Sequence, residues 1–240
     1  MRNLATRPLV TAVMVTGKHA NRRPLALAAV RCFQAQTWPN KELVIINDGM
    51  SLGIQGPTIQ EFLLPAKKET TLGELRNRGL DRARGSWIIQ WDDDDWSHAS
   101  RIEVQMAAAG DHAVLLRHQV RYDRVSGSFY DVTAGPGHAG TILHPATPAA
   151  RYPSERKHED SHFWQRWFPN AVRLDNDPDL YLRLYHGANT FGRPHIILTP
   201  AHKKLARLIP PGPRRNKLRD IIRENYPRLT AKRSPPSATR

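Results

Sequence analysis

The sequence predicts an α/β fold. Apolar, β-branched runs alternate with segments of helical periodicity, and several of the runs end on polar or acidic residues. Leu9 to Val15 is the first run, long enough for a buried strand. Pro24 then suits the first turn of a helix whose apolar face is Leu25, Ala29, Cys32 and Phe33. After the break at Thr37 to Asn40, Glu42 to Ile46 forms a second strand ending at Asn47, Asp48 and Gly49, which completes a βαβ unit. Leu72, Leu75, Leu80 and Ala83 mark a second helix with Gly85 as its stop. Ser86 to Trp91 is a strand running straight into Asp92, Asp93, Asp94 and Asp95. A third helix from about Ser97 to Ala109, a strand from Ala113 to Val120, and a hairpin about Ser126 and Gly127 follow. Farther on the pattern loosens. Gly140 to His144 reads as a short strand, His158 to Phe168 as a helix, and Leu180 to His186 as an alternating strand with Leu180, Leu182 and Leu184 on one face.

Composition bounds what such a fold is for. With 40% hydrophobic residues and six each of Trp, Tyr and Phe in 240 residues, the chain supports one substantial core, which excludes a disordered or fibrous protein. Cys32 is the single cysteine, so there is no intramolecular disulfide framework and no cysteine-built zinc site. No run approaches the roughly eighteen apolar residues of a membrane span, and the N-terminus lacks a signal-like apolar core, so a cytoplasmic protein is expected.

The net charge of +14 points toward an anionic partner, but it is unevenly placed. From Ala201 to Arg240 twelve Lys or Arg face only Asp220 and Glu224, whereas the first 200 residues carry 24 basic against 20 acidic. The expected organisation is a folded body over 1–200 and a basic, proline-containing tail over 201–240. Nucleic acid is a poor fit as a partner, because the charge is there but the motifs are not. Leu205, Leu208 and Ile209 beside Lys203, Lys204 and Arg207 suit docking on anionic lipid at the inner face of a membrane; a solvated tail is the plain alternative.

Four consecutive carboxylates, Asp92 to Asp95, at the C-terminal end of an apolar strand are the sharpest chemical signal. Ligands bind at that edge of an open α/β sheet, and crowded carboxylates call for a cation, here Mg²⁺ or Mn²⁺ completed by water and substrate phosphates. A solvated acidic turn opening the next helix is the alternative. Asn47 and Asp48 end a strand at the same edge and suit hydrogen bonds to a base or ribose, or simply make a turn. Arg76 and Asn77 precede the acidic strand, and Arg suits phosphate or carboxylate. In the His158 to Phe168 helix, Asp160 shares a face with Phe163, Trp164 and Trp167, which suits a general base or, alternatively, an N-terminal cap. His186, in a loop with Gly187 and Asn189, suits a metal or a diphosphate, or a structural role.

Taken in order, Val13 to Asn21, Phe33 to Met50, Leu72 to Trp96 and Lys157 to Trp164 resemble the corresponding motifs of the inverting family 2 glycosyltransferases, over about Val10 to Thr190. The resemblance implies a GT-A fold, a Rossmann-like mixed central sheet flanked by helices. It also implies transfer of a sugar from a nucleoside-diphosphate sugar, with UDP as the usual nucleotide, to a hydroxyl on a sugar or lipid-linked acceptor. Thr16, Asn47, Asp48, Arg76, Asn77, Asp92 and Asp93 would contact the nucleotide sugar. Asp92 and Asp94 would form the Asp-x-Asp pair, with Asp94, Asp92 and His186 toward the metal and Asp94 its most direct ligand. Asp160 would be the base and Glu159 would position the acceptor. Gly17 and Lys18 replace the family's usual Tyr and Asn, and Asn47 replaces the first Asp of its usual pair. A metal-dependent nucleotidyltransferase or phosphohydrolase is the competing enzyme class, since acidic clusters serve phosphoryl transfer as well.

Overall fold

A computed structural model of the chain describes residues 7–17, 22–65, 70–168, 170–187, 189, 192–193 and 206–230. Strand β1 (Val10–Thr16) is buried along almost its whole length, and helix α1 (Arg23–Gln34) follows with Pro24 in its first turn. Strand β2 (Lys41–Asn47), strand β3 (Ile59–Leu63), helix α2 (Leu72–Leu80), strand β4 (Trp87–Asp92) and the two-residue strand β5 (Trp96–Ser97) continue the alternation. Helix α2 begins with a reciprocal cap: Thr71 Oγ1 accepts from Glu74 N, and Glu74 Oε2 accepts from Thr71 N. Helix α3 (Arg101–Ala109), strands β6 (Val114–Leu116), β7 (His118–Asp123), β8 (Ser128–Thr133) and β9 (Leu143–Pro145), helix α4 (Glu159–Trp164), and strands β10 (Val172–Leu174) and β11 (Tyr181–Tyr185) complete the body. Strand β12 (Ala206–Leu208) and helices α5 (Pro213–Asn225) and α6 (Pro227–Thr230) follow.

Seven strands form one sheet in the order β10-β6-β9-β4-β1-β2-β3, parallel except for β9. A second sheet runs β12-β8-β7-β11-β5. The parallel register pairs Thr16 with Asn47 and Val15 with Asp92, so three strands end side by side at one edge. Strand β3 has no counterpart in the sequence reading: IQEFL is short, and its polar residues break any alternating signal. The helix expected over His158 to Phe168 is a six-residue α-helix followed by a 3-10 turn at Gln165–Trp167, with Phe168 already extended.

The tail expectation needs correction. Among the described residues, β12 pairs with β8, and α5 packs against the second sheet, burying Leu218 and Ile222 with Val120, Phe129 and Leu184. Arg214 pairs with both Asp131 and Asp179, so part of the basic charge answers acidic residues of the body. Charge counting misses this because α5 has only a thin apolar stripe among basic residues. Ile209 is buried, which removes it from the lipid-facing set; Lys203, Lys204 and Leu205 lie outside the described residues. No described helix is long and apolar enough to cross a membrane. Leu218→Ala is expected to destabilise the fold by about 2–5 kcal/mol, the range for emptying a buried leucine site. A urea midpoint unchanged by this substitution would restore the tail reading.

Beneath α4, Phe163 stacks on Tyr152 at 3.9 Å between ring centroids, and His144 sits 5.1 Å from Phe163 and 5.0 Å from Trp167. The His144 ring is buried and its Nε2 has no hydrogen-bond partner, so burial pulls it down to about 4. The unfolded chain takes up this proton near 6.5 and the folded chain only near 4, so stability falls as pH drops through that window. The loss is on the order of 3 kcal/mol. Denaturant titrations at pH 7 and pH 4.5 check it: the drop should shrink in His144→Phe.

Candidate active site

At the edge where β1, β2 and β4 end lies a cavity of about 390 Å³, lined by Thr16, Asp48, Arg76, Asp92 to Asp95, Glu159 and Asp160 among others. The loop after β1 approaches it closely. Gly17 has φ +135°, and a Cβ there would lie 2.3 Å from Asp48 Oδ1, so only glycine lets the backbone pass this carboxylate.

The acidic residues are not equivalent. Asp92 Oδ1 accepts from Arg76 Nη2 at 3.0 Å and from Gln90 Nε2 at 3.1 Å. Asp93 is buried against Arg22, whose Nε donates to its Oδ2 at 3.0 Å. Asp94 Oδ2 meets Arg22 Nη2 at 3.1 Å, His186 Nε2 at 3.0 Å and Asn189 Nδ2 at 3.3 Å. Burial opposes ionisation of Asp94, but Arg22 and His186 outweigh it and hold the carboxyl below its ordinary range. Asp95 turns away: its Oδ2 accepts from Tyr181 Oη at 2.5 Å and its Oδ1 from Leu184 N at 2.9 Å, and burial raises its carboxyl. The fourth aspartate thus ties β4 to β11.

Arg76 links the two halves of the site. Its Nε donates to Glu159 Oε1 at 3.2 Å while Nη2 holds Asp92, and the guanidinium lies over the Tyr152 ring at 5.6 Å. Burial disfavours its charge, yet Asp92 and Glu159 more than compensate and hold it above its ordinary value. Glu159 is buried at 3% exposure, and burial pushes its carboxyl up against the pull of Arg76. Asp160 is the partly exposed neighbour. Its Oδ1 accepts from Ser161 N at 2.7 Å, and its Oδ2 faces Gly140, where a Cβ would lie 4.0 Å from it and 3.0 Å from Asp92 Oδ2. The missing side chain at Gly140 leaves Asp92 and Asp160 facing one space. His158, immediately before, is the one non-glycine among the described residues with positive φ, at 67°.

Of the residues singled out from the sequence, Thr16, Asp48, Arg76, Asp92, Asp93, Asp94, Glu159 and Asp160 line the cavity, and His186 reaches Asp94 from behind it. Asn47 and Asn77 do not line it. Asn47 donates to Met50 O at 2.9 Å and Glu61 Oε1 at 2.7 Å, and accepts from Gly49 N, which fixes the turn after β2. Asn77 clamps the Tyr152 backbone, donating to its carbonyl at 2.9 Å and accepting from its N–H at 2.8 Å. Asn77 thus satisfies both backbone groups of Tyr152, and Asn47 closes the turn after β2 and ties it to Glu61. Arg22, Tyr152, Arg183 and Asn189 were not assigned roles from the sequence. Arg22 lies in a loop with two other basic neighbours nearby and has no periodic context to single it out.

Asp94 and His186, joined by a 3.0 Å hydrogen bond, are the side chains at this edge that could each contribute a ligand to a divalent ion. Among the described residues no three His, Cys, Asp or Glu side chains gather for an all-protein site, so substrate phosphates and water would complete the shell.

Parallel strands ending on carboxylates beside a helix-borne arginine, with a second sheet closing the opposite wall, define the GT-A class of nucleotide-sugar transferase. Residues 19–158 match the family described as Glycosyl transferase family 2, and the chain belongs to that family. It is 34% identical over 89 residues to the Bacillus subtilis (strain 168) protein EpsH, which is named as a glycosyltransferase. That match covers 34% of this chain and 25% of EpsH. The fold is similar to that of S. aureus TarS 1-349 in complex with UDP-GlcNAc, with a TM-score of 0.59 and 13% identity over 75% of this chain and 59% of that one. It is also similar to the mannosyltransferase PcManGT of Pyrobaculum calidifontis in complex with GDP-Man and Mn²⁺, with a TM-score of 0.53 and 15% identity over 75% of this chain and 57% of that one. Membership in this family favours sugar transfer over the phosphoryl-transfer alternative.

Proposed function

We propose that the protein transfers a sugar from a UDP-sugar to a hydroxyl of a saccharide or lipid-linked acceptor, with inversion, Asp160 serving as the base. The observation that carries this reading is that one cavity gathers the ends of β1, β2 and β4 together with Asp94 and Asp160, with His186 hydrogen-bonded to Asp94. Thr16 and Asp48 offer oxygen acceptors to a base and ribose at the strand edge, as acidic strand ends do in dinucleotide folds. A uridine diphosphate matches the UDP and UDP-GlcNAc bound by TarS.

Asp94 and His186 would hold Mg²⁺ or Mn²⁺. When bound, that ion would neutralise charge developing on the departing diphosphate. Arg22 already sits on Asp93 and Asp94 and places a second positive charge at the same spot. Arg76, tied to Asp92 and Glu159, holds the β4 end against α4, so that Asp160 is presented to the cavity rather than drawn into an ion pair. Asp160 takes the acceptor hydroxyl proton as its oxygen attacks the anomeric carbon from the face opposite the diphosphate. Glu159 acts on the acceptor indirectly, by positioning its neighbour.

Isothermal titration of UDP with and without Mn²⁺ tests the donor side. Wild type is expected to gain at least tenfold in affinity with Mn²⁺, and Asp94→Ala to lose that gain, a difference of about 1.4 kcal/mol or more. UDP binding indifferent to both changes would sink the metal assignment. Product of retained configuration would sink the single-displacement mechanism.

A further inference from the structure

We propose that the groove between the β7–β8 hairpin and α5 seats the headgroup and first chain segment of an anionic phospholipid, so that the protein works docked on a membrane surface. The inference stands apart from the transferase reading, and it moves the lipid contact expected at 203–209 onto the hairpin and α5. The groove, of about 960 Å³, has the buried Tyr122, Phe129, Ile222 and Leu229 as its floor and Arg124, Arg219 and Arg223 at its rim. A further cavity of about 310 Å³, with Pro24, Leu25 and Leu27 in its wall, adjoins it through Arg124, His186 and Leu229. The groove lies on the face of the second sheet opposite to Asp160. Val120, Tyr122, Leu182 and Leu184 pack toward α5, whereas the register partners Arg121 and Arg183 line the cavity that holds Asp160. An acceptor poised for Asp160 is therefore not the occupant.

The charges at the rim are not cancelled from within. Among the described lining residues there is no Asp or Glu. Arg124 donates from Nη1 to His186 O and from Nη2 to Arg228 O, each at 3.3 Å, and a carbonyl satisfies a guanidinium N–H without neutralising it. Arg219 is exposed and meets no carboxylate among the described residues, its neighbour Asp220 being turned to Arg223 at 3.0 Å. That pair is 70% and 51% exposed, where an ion pair is worth little and gives way readily to another anion. Asp123, next to Arg124 in the chain, is taken by Arg193 and Ser126. Residues 188–205 and 231–240, which follow β11 and α6, contain no Asp or Glu at all. Cations over an apolar floor match a molecule that carries a phosphate and a hydrocarbon chain together, whereas free phosphate or nucleic acid would leave the floor unused. Val125, 69% exposed beside Arg124 at the hairpin tip, adds an apolar side chain at the level of the cations, as a surface does that rests on headgroups and reaches the acyl boundary. His186 lines the groove and meets Asp94, so a lipid seated here lies against the back of the donor site.

Vesicle co-sedimentation of the full chain tests this with neither donor nor turnover, so its failure is separate from a failure of the transferase reading. Wild type is expected to bind vesicles of three parts phosphatidylcholine to one part phosphatidylglycerol at least tenfold more tightly than vesicles of phosphatidylcholine alone. Arg219→Glu combined with Arg223→Glu is expected to lose at least tenfold on the anionic vesicles, and Val125→Asp at least threefold. Arg207→Glu combined with Lys217→Glu removes the same charge from exposed positions outside the groove and is expected to stay within threefold of wild type. Equal binding of wild type to the two kinds of vesicle overturns the proposal, as does an equal loss in the two double variants, which would make the contact a matter of net charge. Unchanged binding in Val125→Asp overturns it as well, and decides the matter should the arginine variant fail to fold. Wild type that sediments with neither vesicle, but whose oligomeric state changes in the arginine variant, marks this face as an interface between copies and likewise overturns the proposal.

Discussion

Asp160→Asn is expected to lower the turnover number by about 10²–10⁴-fold, the usual contribution of a positioned general base, while UDP affinity stays within twofold of wild type. The reason lies in the division of labour between adjacent carboxylates. Glu159 is buried and committed to Arg76, whereas Asp160 keeps one oxygen on the Ser161 amide and presents the other to the space it shares with Asp92. Asparagine preserves the shape and the contact with Ser161 but cannot accept the proton. The assay compares UDP release with and without acceptor, because a lost base suppresses the acceptor-dependent part most. Retention of more than a tenth of the wild-type rate would move the base to another residue. Glu159→Gln provides the contrast: it is expected to act through stability and acceptor KM, since its oxygen faces Arg76.

The second large effect is structural. Arg76→Gln is expected to destabilise the protein by about 3–5 kcal/mol at neutral pH, because it strands Asp92 and Glu159 near each other with their shared cation gone. Its pH dependence has a definite sign. Without the guanidinium, the buried Glu159 carboxyl loses the pull that opposes its burial and rises further above its unfolded value. The variant therefore recovers stability as pH falls toward the ordinary glutamate range and loses it as pH rises through the raised Glu159 value. Urea denaturation at pH 7 and pH 5 reads this directly, and adding Glu159→Gln is expected to restore part of the loss. A deficit that is the same at both pH values would mean that Arg76 acts by packing on Tyr152 alone.

The sequence by itself determined the first βαβ unit, the acidic strand end and the order of the motifs. Buried parallel strands are continuous apolar runs, and the polar residues that interrupt them must fall where the sheet meets solvent or ligand. Val10–Thr16, Lys41–Asn47 and Trp87–Asp92 therefore carry both their structure and their functional edge in local pattern. Asp94 and His186 were legible as candidates because each is a chemically capable side chain just beyond a strand, and Asp160 because it stands in the first turn of a helix on its aromatic face. What each one touches was decided only by the tertiary structure. Four identical aspartates in a row received four different sets of partners: Arg76 with Gln90, Arg22, Arg22 with His186 and Asn189, and Tyr181 with the Leu184 backbone. Asn47 and Asn77, equally plausible on the page as nucleotide contacts, were drawn to nearby backbone groups that needed partners. Arg22, Arg121 and Arg183 carried no local signal, since an isolated arginine in a basic chain reads as solvated surface until the folded sheet and loops bring it to a carboxylate or to another arginine. The last basic segment was misread for the converse reason. Its charge is visible in any count, but Leu218 and Ile222 become core only when α5 meets the second sheet, and the area a helix buries is a property of the pair of surfaces rather than of either sequence alone.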